Sequence, residues 1–304
     1  MEILRTPKAC FDGIDGFPWS PTYRHVTDAE GNMLRIASIE TGPADGPVVL
    51  LMHGEPTWSY LYRHMIPLFE QAGCRAICPD LVGFGRSDKP ADLEDYTYAR
   101  HVDWMRRWLD ETGLEAITLV CQDWGGLLGL RLVAAQPERF SRVVTANTGL
   151  PTGDHQPTEG FMKWRHYSQK VPDFSVSAIV DSGTQRELTI AERAAYDAPF
   201  PDDRFKAGAR RFPALVPIDS QDPEARANRA AWATLRDFDR PWLTAFSDRD
   251  PVTRGGEKPF QKLIPGAQGQ NHVTMNGAGH FLQEDVGPEL ARTVLSFMGL
   301  AGGD

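Results

Sequence analysis

Val120-Cys121-Gln122-Asp123-Trp124-Gly125-Gly126 is the stretch that decides the architecture. An apolar run, Ile117 to Cys121, ends here, and a helical pattern opens at Gly126 with Leu127, Leu130, Leu132 and Val133. Asp123 therefore falls on a strand-to-helix turn. Two glycines follow within three residues, where a sharp turn needs backbone room and close packing of the helix. This is the form of a nucleophile elbow with Asp in place of Ser. Such a turn lifts its side chain to the carboxyl edge of a sheet, where ligands bind in open α/β folds. A plainer role for Asp123 is to cap the helix, but a cap explains neither Trp124 nor the glycine pair.

Working outward, short apolar runs bounded by turn residues recur. Leu34 to Ile39 follows the turn Glu30-Gly31-Asn32, a hairpin signal. Val48 to Met52, Arg75 to Cys78 and Ile117 to Cys121 are continuous apolar runs, as expected of strands covered on both faces. Val143 to Ala146, Trp242 to Phe246 and His272 to Met275 read as further strands. Between them, Tyr98 to Glu111 repeats Val102, Met105, Trp108 and Leu109 at helical spacing, and Leu290 to Met298 forms a last helical segment. Alternating strands and helices predict a mostly parallel sheet flanked by helices. From Pro151 to about Pro217 the pattern breaks into proline- and aromatic-rich sequence, including Phe161, Trp164, Tyr167, Phe174 and Tyr196, which predicts short helices inserted above the sheet. The expected division is a core of residues 1–150 and 218–304 and a helical cap of 151–217.

Two motifs complete the elbow. His53-Gly54-Glu55-Pro56-Thr57 follows the strand Val48 to Met52, where a loop backbone N–H can join that of the residue after the nucleophile in an oxyanion hole. The expected donors are Glu55 and Trp124. Asn276-Gly277-Ala278-Gly279-His280-Phe281 follows the last strand and places His280 where a base is needed. Either histidine alone could be a packed structural residue; His280 gains weight because it comes last in the order nucleophile, acid, histidine. The acid is expected in Ser247-Asp248-Arg249-Asp250-Pro251, with Asp250 preferred and Asp248 assigned to the turn. The competing position after Val143 to Ala146 reads Asn147-Thr148-Gly149-Leu150, with no carboxylate until Asp154.

The 304 residues are 41% hydrophobic and 24% charged, with a formal net charge of −9. That balance is globular and argues against nucleic-acid binding, which needs clustered Lys and Arg. No run approaches the length of a membrane span. Met1 to Pro21 shows no basic region followed by an apolar stretch, so a reducing cytoplasm is the expectation. The four cysteines, Cys10, Cys74, Cys78 and Cys121, have no zinc spacing and are expected to be free. No metal or organic cofactor is called for, and the chain is expected as a monomer or small homo-oligomer.

Asp-Trp-Gly-Gly, His-Gly-Glu-Pro-Thr and the Gly-Ala-Gly-His loop together resemble the haloalkane dehalogenases, from about residue 24 onward, in the subfamily of the α/β-hydrolase fold with an Asp–His–Asp triad and two halide-binding tryptophans. The resemblance implies Asp123 as nucleophile, His280 as base and Asp250 as its orienting acid. It implies Trp124 and Trp164 as the halide donors, a small haloalkane as substrate, and alcohol and halide as products. Epoxide hydrolases are similar, with the same Asp nucleophile, but usually carry His where this chain has Gln122, and use two cap tyrosines; Tyr167 and Tyr196 are available. A non-catalytic binder of small apolar ligands on the same fold is the alternative from another class.

Overall fold

A computed structural model describes residues 1–300. Eight strands form one twisted sheet: β1 (Thr22–Thr27), β2 (Met33–Thr41), β3 (Val48–Met52), β4 (Arg75–Pro79), β5 (Ile117–Gln122), β6 (Phe140–Ala146), β7 (Trp242–Ser247) and β8 (Val273–Met275). Their spatial order is β8-β7-β6-β5-β3-β4-β2-β1. The pairs β1–β2 and β2–β4 are antiparallel and all others parallel. A separate two-stranded ribbon joins Ile3–Leu4 to Lys89–Pro90.

The apolar runs explain where the strands lie. Every residue of β5 is buried, as are Val49 to Met52 of β3, because helices cover both faces at the centre of the sheet. The helices of the core are α1 (Ile66–Gln71), α2 (Tyr98–Thr112), α3 (Trp124–Ala135), α8 (Pro223–Leu235), α9 (Glu257–Leu263) and α10 (Leu282–Phe297). α1 packs on α10, while α3 packs on both α2 and α8. Thr97 caps α2, accepting from Arg100 N, and Gly113 ends it with φ of 61°, a left-handed conformation that glycine adopts without penalty.

Between β6 and α8 there is no strand. Four helices fill the segment: α4 (Glu159–Lys170), α5 (Val176–Ser182), α6 (Ile190–Asp197) and α7 (Ala207–Leu215). Thr158 caps α4 by accepting from Phe161 N, and its hydroxyl donates to Val252 O at 2.7 Å, so the start of α4 is tied to the loop after β7. Phe212 of α7 reaches Trp124, with ring centroids 4.6 Å apart.

The last helix differs from the expected Leu290 to Met298. It begins at Leu282, and Val286 breaks it with φ −138° and ψ 28°. Gly287-Pro288 stands at the restart, where proline's missing N–H costs nothing. The first turn, Leu282 to Asp285, carries its own task, described below. All four cysteines are free.

Candidate active site

The elbow is a strained turn. Asp123 has φ of 50°, unusual for a residue with a side chain. Its backbone is held from both sides: its N–H donates to Asn147 O at 3.0 Å, and its carbonyl accepts from the Thr148 hydroxyl at 2.7 Å and from Gly126 N at 2.9 Å. The glycines are steric necessities. A Cβ at Gly125 would sit 2.0 Å from Met52 O, and one at Gly126 would sit 2.1 Å from Thr148 Oγ1. Asp123 precedes α3, yet its side chain makes no capping bond to the helix. The carboxylate is turned elsewhere.

Its Oδ1 accepts from Glu55 N at 2.8 Å, and its Oδ2 lies 3.5 Å from His280 Nε2. Gly54 makes this approach possible, since a Cβ there would stand 2.3 Å from Asp123 Oδ1. His53 braces the same loop: it is fully buried, Leu81 N donates to its Nε2 at 3.0 Å, and its Nδ1 faces Gly54 O at 2.8 Å. Trp124 opens α3, so its N–H is one of the four that have no intrahelical acceptor. The Glu55 amide thus meets the Asp123 carboxylate, and the Trp124 amide stands at the start of α3 directly after it.

His280 Nδ1 lies 3.0 Å from Asp250 Oδ2. Asp250 is fixed in turn by Val252 N at 2.7 Å, Thr253 N at 3.2 Å and a short bond from the Thr253 hydroxyl. Burial works against charge on both residues. The pair overcomes it: His280 lowers the Asp250 carboxyl below the ordinary carboxylate range, while Asp250 and Asp123 push the imidazole up to about 10. Asp248 is not part of this group; its Oδ1 accepts from Gly277 N at 2.8 Å and shapes the histidine loop. The Glu55 side chain is buried beside Asp123, and burial with that neighbouring charge raises its carboxyl well above its usual range. That shift disfavours a second negative charge beside Asp123.

A cavity of about 670 Å³ is lined by Asp123, Trp124, Leu127, Phe161 and Trp164, and by Trp232 and Pro213. Trp124 is buried, edge-on to Tyr98 at 4.9 Å between centroids. Trp164 is half-buried against Tyr167 and Phe174, each 6.1 Å away. It also borders a second chamber of about 310 Å³ that reaches Glu55 and His280. The sequence-predicted site residues thus converge: Glu55, Asp123, Asp250 and His280 from loops and turns at the carboxyl edge, Trp124 from the first turn of α3 and Trp164 from α4. Tyr167 and Tyr196 do not join them: Tyr167 is about half exposed, the Tyr196 hydroxyl is bound to Glu284, and neither lines either cavity.

Sequence reasoning passed over two residues here. Gln122 places its amide nitrogen 3.2 Å from both His280 Nε2 and His280 O. Asn147 donates from Nδ2 to Gly279 O, His280 O and Ser247 Oγ, at 2.9, 3.0 and 2.7 Å. The loop that lacked a carboxylate supplies instead the joint between β6, β7 and the histidine loop. Its φ of 39° fits asparagine's tolerance of left-handed backbone, which was the available signal.

The sheet order, the elbow and the histidine at the last strand define an α/β hydrolase, and the family profile described as alpha/beta hydrolase fold matches residues 47–285. A haloalkane dehalogenase of Psychrobacter cryohalolentis is 53% identical over 298 residues, covering 98% of each chain. One of Mycolicibacterium paratuberculosis is 48% identical over 297 residues, again covering 98% of each. Among solved structures, the tetrameric haloalkane dehalogenase DpaA from Paraglaciecola agarilytica NO2 superposes with a TM-score of 0.90 at 34% identity, over 97% of this chain and 98% of that one. The chain belongs to the haloalkane dehalogenase family, hydrolases of carbon–halide bonds.

Proposed function

We propose that Asp123 displaces halide from a small haloalkane in the cavity it shares with Trp124 and Trp164, and that His280 then hydrolyses the resulting ester. A carboxylate suits attack at saturated carbon because, unlike a serine hydroxyl, it needs no base to remove a proton. Oδ1 is occupied by the Glu55 N–H, which leaves Oδ2 to attack. The carbon–halogen electron pair leaves with the halide. Indole N–H groups of Trp124 and Trp164 receive the growing charge in an apolar cavity, where hydrogen bonds act in low dielectric. The product is an alkyl ester of Asp123.

In the second step His280 Nε2 takes a proton from water, and the hydroxide attacks the ester carbonyl. The oxyanion forms on Oδ1, against the N–H groups of Glu55 and Trp124. Asp250 holds the imidazole by Nδ1 and stabilises the imidazolium. Collapse breaks the acyl C–O bond, the imidazolium returns its proton to the leaving alkoxide, and the alcohol departs as the new carboxyl group gives its proton to solvent and becomes the carboxylate again. Residues 151–217 serve as the cap that closes the cavity. The absence of Tyr167 and Tyr196 from the cavity wall speaks against epoxide opening, and the assembled acid, base and nucleophile speak against a pure binder.

The single observation that carries this reading is the Asp123 carboxylate lying between the Glu55 N–H and His280. His280→Gln tests it, because attack needs no base while hydrolysis does. With 1,2-dibromoethane or 1-bromobutane the variant is expected to release one equivalent of halide and stop. Intact-protein mass spectrometry should then find one alkyl group on Asp123. Steady turnover, an adduct elsewhere, or diol formation from an epoxide in place of halide release defeats the proposal.

A further inference from the structure

The first turn of α10 carries two consecutive carboxylates that the chemistry above does not use. Asp285 Oδ2 accepts from Gly279 N at 2.8 Å, one residue before His280. Its Oδ1 accepts from Gln185 N at 2.8 Å and Arg186 N at 3.0 Å, in the loop between α5 and α6. One side chain thus joins the histidine loop of the core to a loop of the helical insertion. The contact is close along its whole length. Phe281 N donates to Gly183 O at 3.3 Å. A Cβ at Gly279 would lie 2.3 Å from Gly183 O, and one at Gly183 would lie 2.6 Å from the Phe281 ring. Glu284 doubles the tie: its carbonyl accepts from Arg186 Nε at 2.8 Å, and its carboxylate binds Arg63, Arg186 and Tyr196. Gly183 and Gln185 also line the smaller chamber beside His280 and Glu55.

We propose that Asp285 is a positioning residue for ester hydrolysis, holding His280 in line with Asp250 by strapping its loop to the Gly183–Arg186 loop above it. The proposal rests on the two-step reading given above. Three N–H groups converge on the carboxylate from two sides, so each oxygen has a fixed task. An asparagine offers one oxygen for three donors and turns an amino group against one of the two loops. The imidazole would lose its alignment with Asp250, while Asp123, held by β5, α3 and Glu55 N, would keep its own. The charged and polar groups facing His280 are Asp250 from the loop after β7, Asp123 and Gln122 from the elbow, and Glu55 from the loop after β3, with Arg249 and Gln185 lining the same chamber.

Asp285→Asn in the full chain is therefore expected to leave the first halide burst within about threefold of wild type and to slow ester hydrolysis about tenfold, both read by rapid quench with 1,2-dibromoethane. The pH limb for hydrolysis should move to lower pH, since an imidazole drawn away from Asp250 binds its proton less tightly. Gly183→Ala presses on Phe281 from the other side without touching the carboxylate, and should move the pH limb for hydrolysis the same way should the Asn variant fold poorly. In the proton NMR spectrum of resting enzyme, the His280 Nδ1–H resonance should shift or broaden in both variants. Equal losses in the two steps, an unchanged pH limb, or an unperturbed His280 resonance overturns the proposal. Failure of the dehalogenation reading is a separate result, seen as no alkyl adduct on Asp123 in His280→Gln, and it leaves the NMR measurement as the decisive one.

Discussion

His280 sits between two carboxylates, and in the proposed scheme that placement sets the order of events. Burial disfavours its positive charge, but Asp250 and Asp123 together push it up to about 10. Attack on the haloalkane uses no base, so a protonated imidazole does not hinder the first step. Esterification then removes the negative charge of Asp123 and with it part of what holds the proton, which favours the free base when hydrolysis requires it. Asp123→Asn imitates the ester electrostatically. Its His280 should titrate clearly below that of the wild-type chain in an NMR pH titration; an equal or higher value would mean that Asp123 does not act on the ring. The sign for stability follows from the same shift. A folded value above the unfolded one, near 6.5, adds stability that is complete below that pH and is lost as pH rises through the folded value. For Asp250, whose carboxyl is lowered, the contribution is present above its unfolded value, near 3.9, and is lost on acidification.

At the scale of elements, the site depends on how closely α3 approaches β3. Met52 is the last residue of β3, and its carbonyl lies where a Cβ on Gly125 would fall, 2.0 Å away. Backbone cannot give way as a flexible side chain can. Gly125→Ala must push α3 from the sheet and is expected to cost about 1–3 kcal/mol, the usual range for overpacking. Urea unfolding measures it, and an unchanged midpoint would show that the helix has more freedom than this contact allows. The elements were largely readable in the chain. β3 runs from Val48 to Met52 as its apolar run implies, and β5 extends one residue beyond Cys121. α10 was not, because Gly287-Pro288 reads as a helix start. The preceding turn at Leu282 is stabilised by contacts to distant loops rather than by its own periodicity.

Across the whole molecule, the helical insertion is bound to the core by buried charge. Arg63, with its side chain 2% exposed, pairs with Glu284, whose side chain is 0% exposed, and with Glu192 of α6. Arg186 bridges the same two acids. His64, Glu192 and Glu284 lie close enough together to suggest a metal site, but arginines and Tyr196 already occupy the carboxylates. Removing one partner of a buried pair leaves the other charge uncompensated. Glu284→Ala is expected to cost about 3 kcal/mol, at the low end for such pairs because Glu192 remains. Glu284→Gln, which keeps some hydrogen bonds, should cost less; equal stability of both variants and wild type in urea would show that the clasp contributes nothing.

What the chain determined by itself was local: the elbow at Asp123, the glycines beside it, the central strands, and the kinds of side chain that the loops after β3, β5, β7 and β8 present. Apolar periodicity and the steric needs of a turn act over a few residues, so they are written in neighbouring letters. Only the tertiary structure decided that the amide of Gln122 reaches His280, that Asn147 joins three loops, that Trp164 of α4 faces the same cavity as Trp124, and that Tyr196 is bound to Glu284 instead of facing it. It also decided that Asp285 spans from Gly279 to Gln185, a separation of about one hundred residues in the chain. These contacts depend on the register and order of a sheet whose neighbours are far apart in sequence. A single polar side chain has no periodicity by which its distant partner could be read.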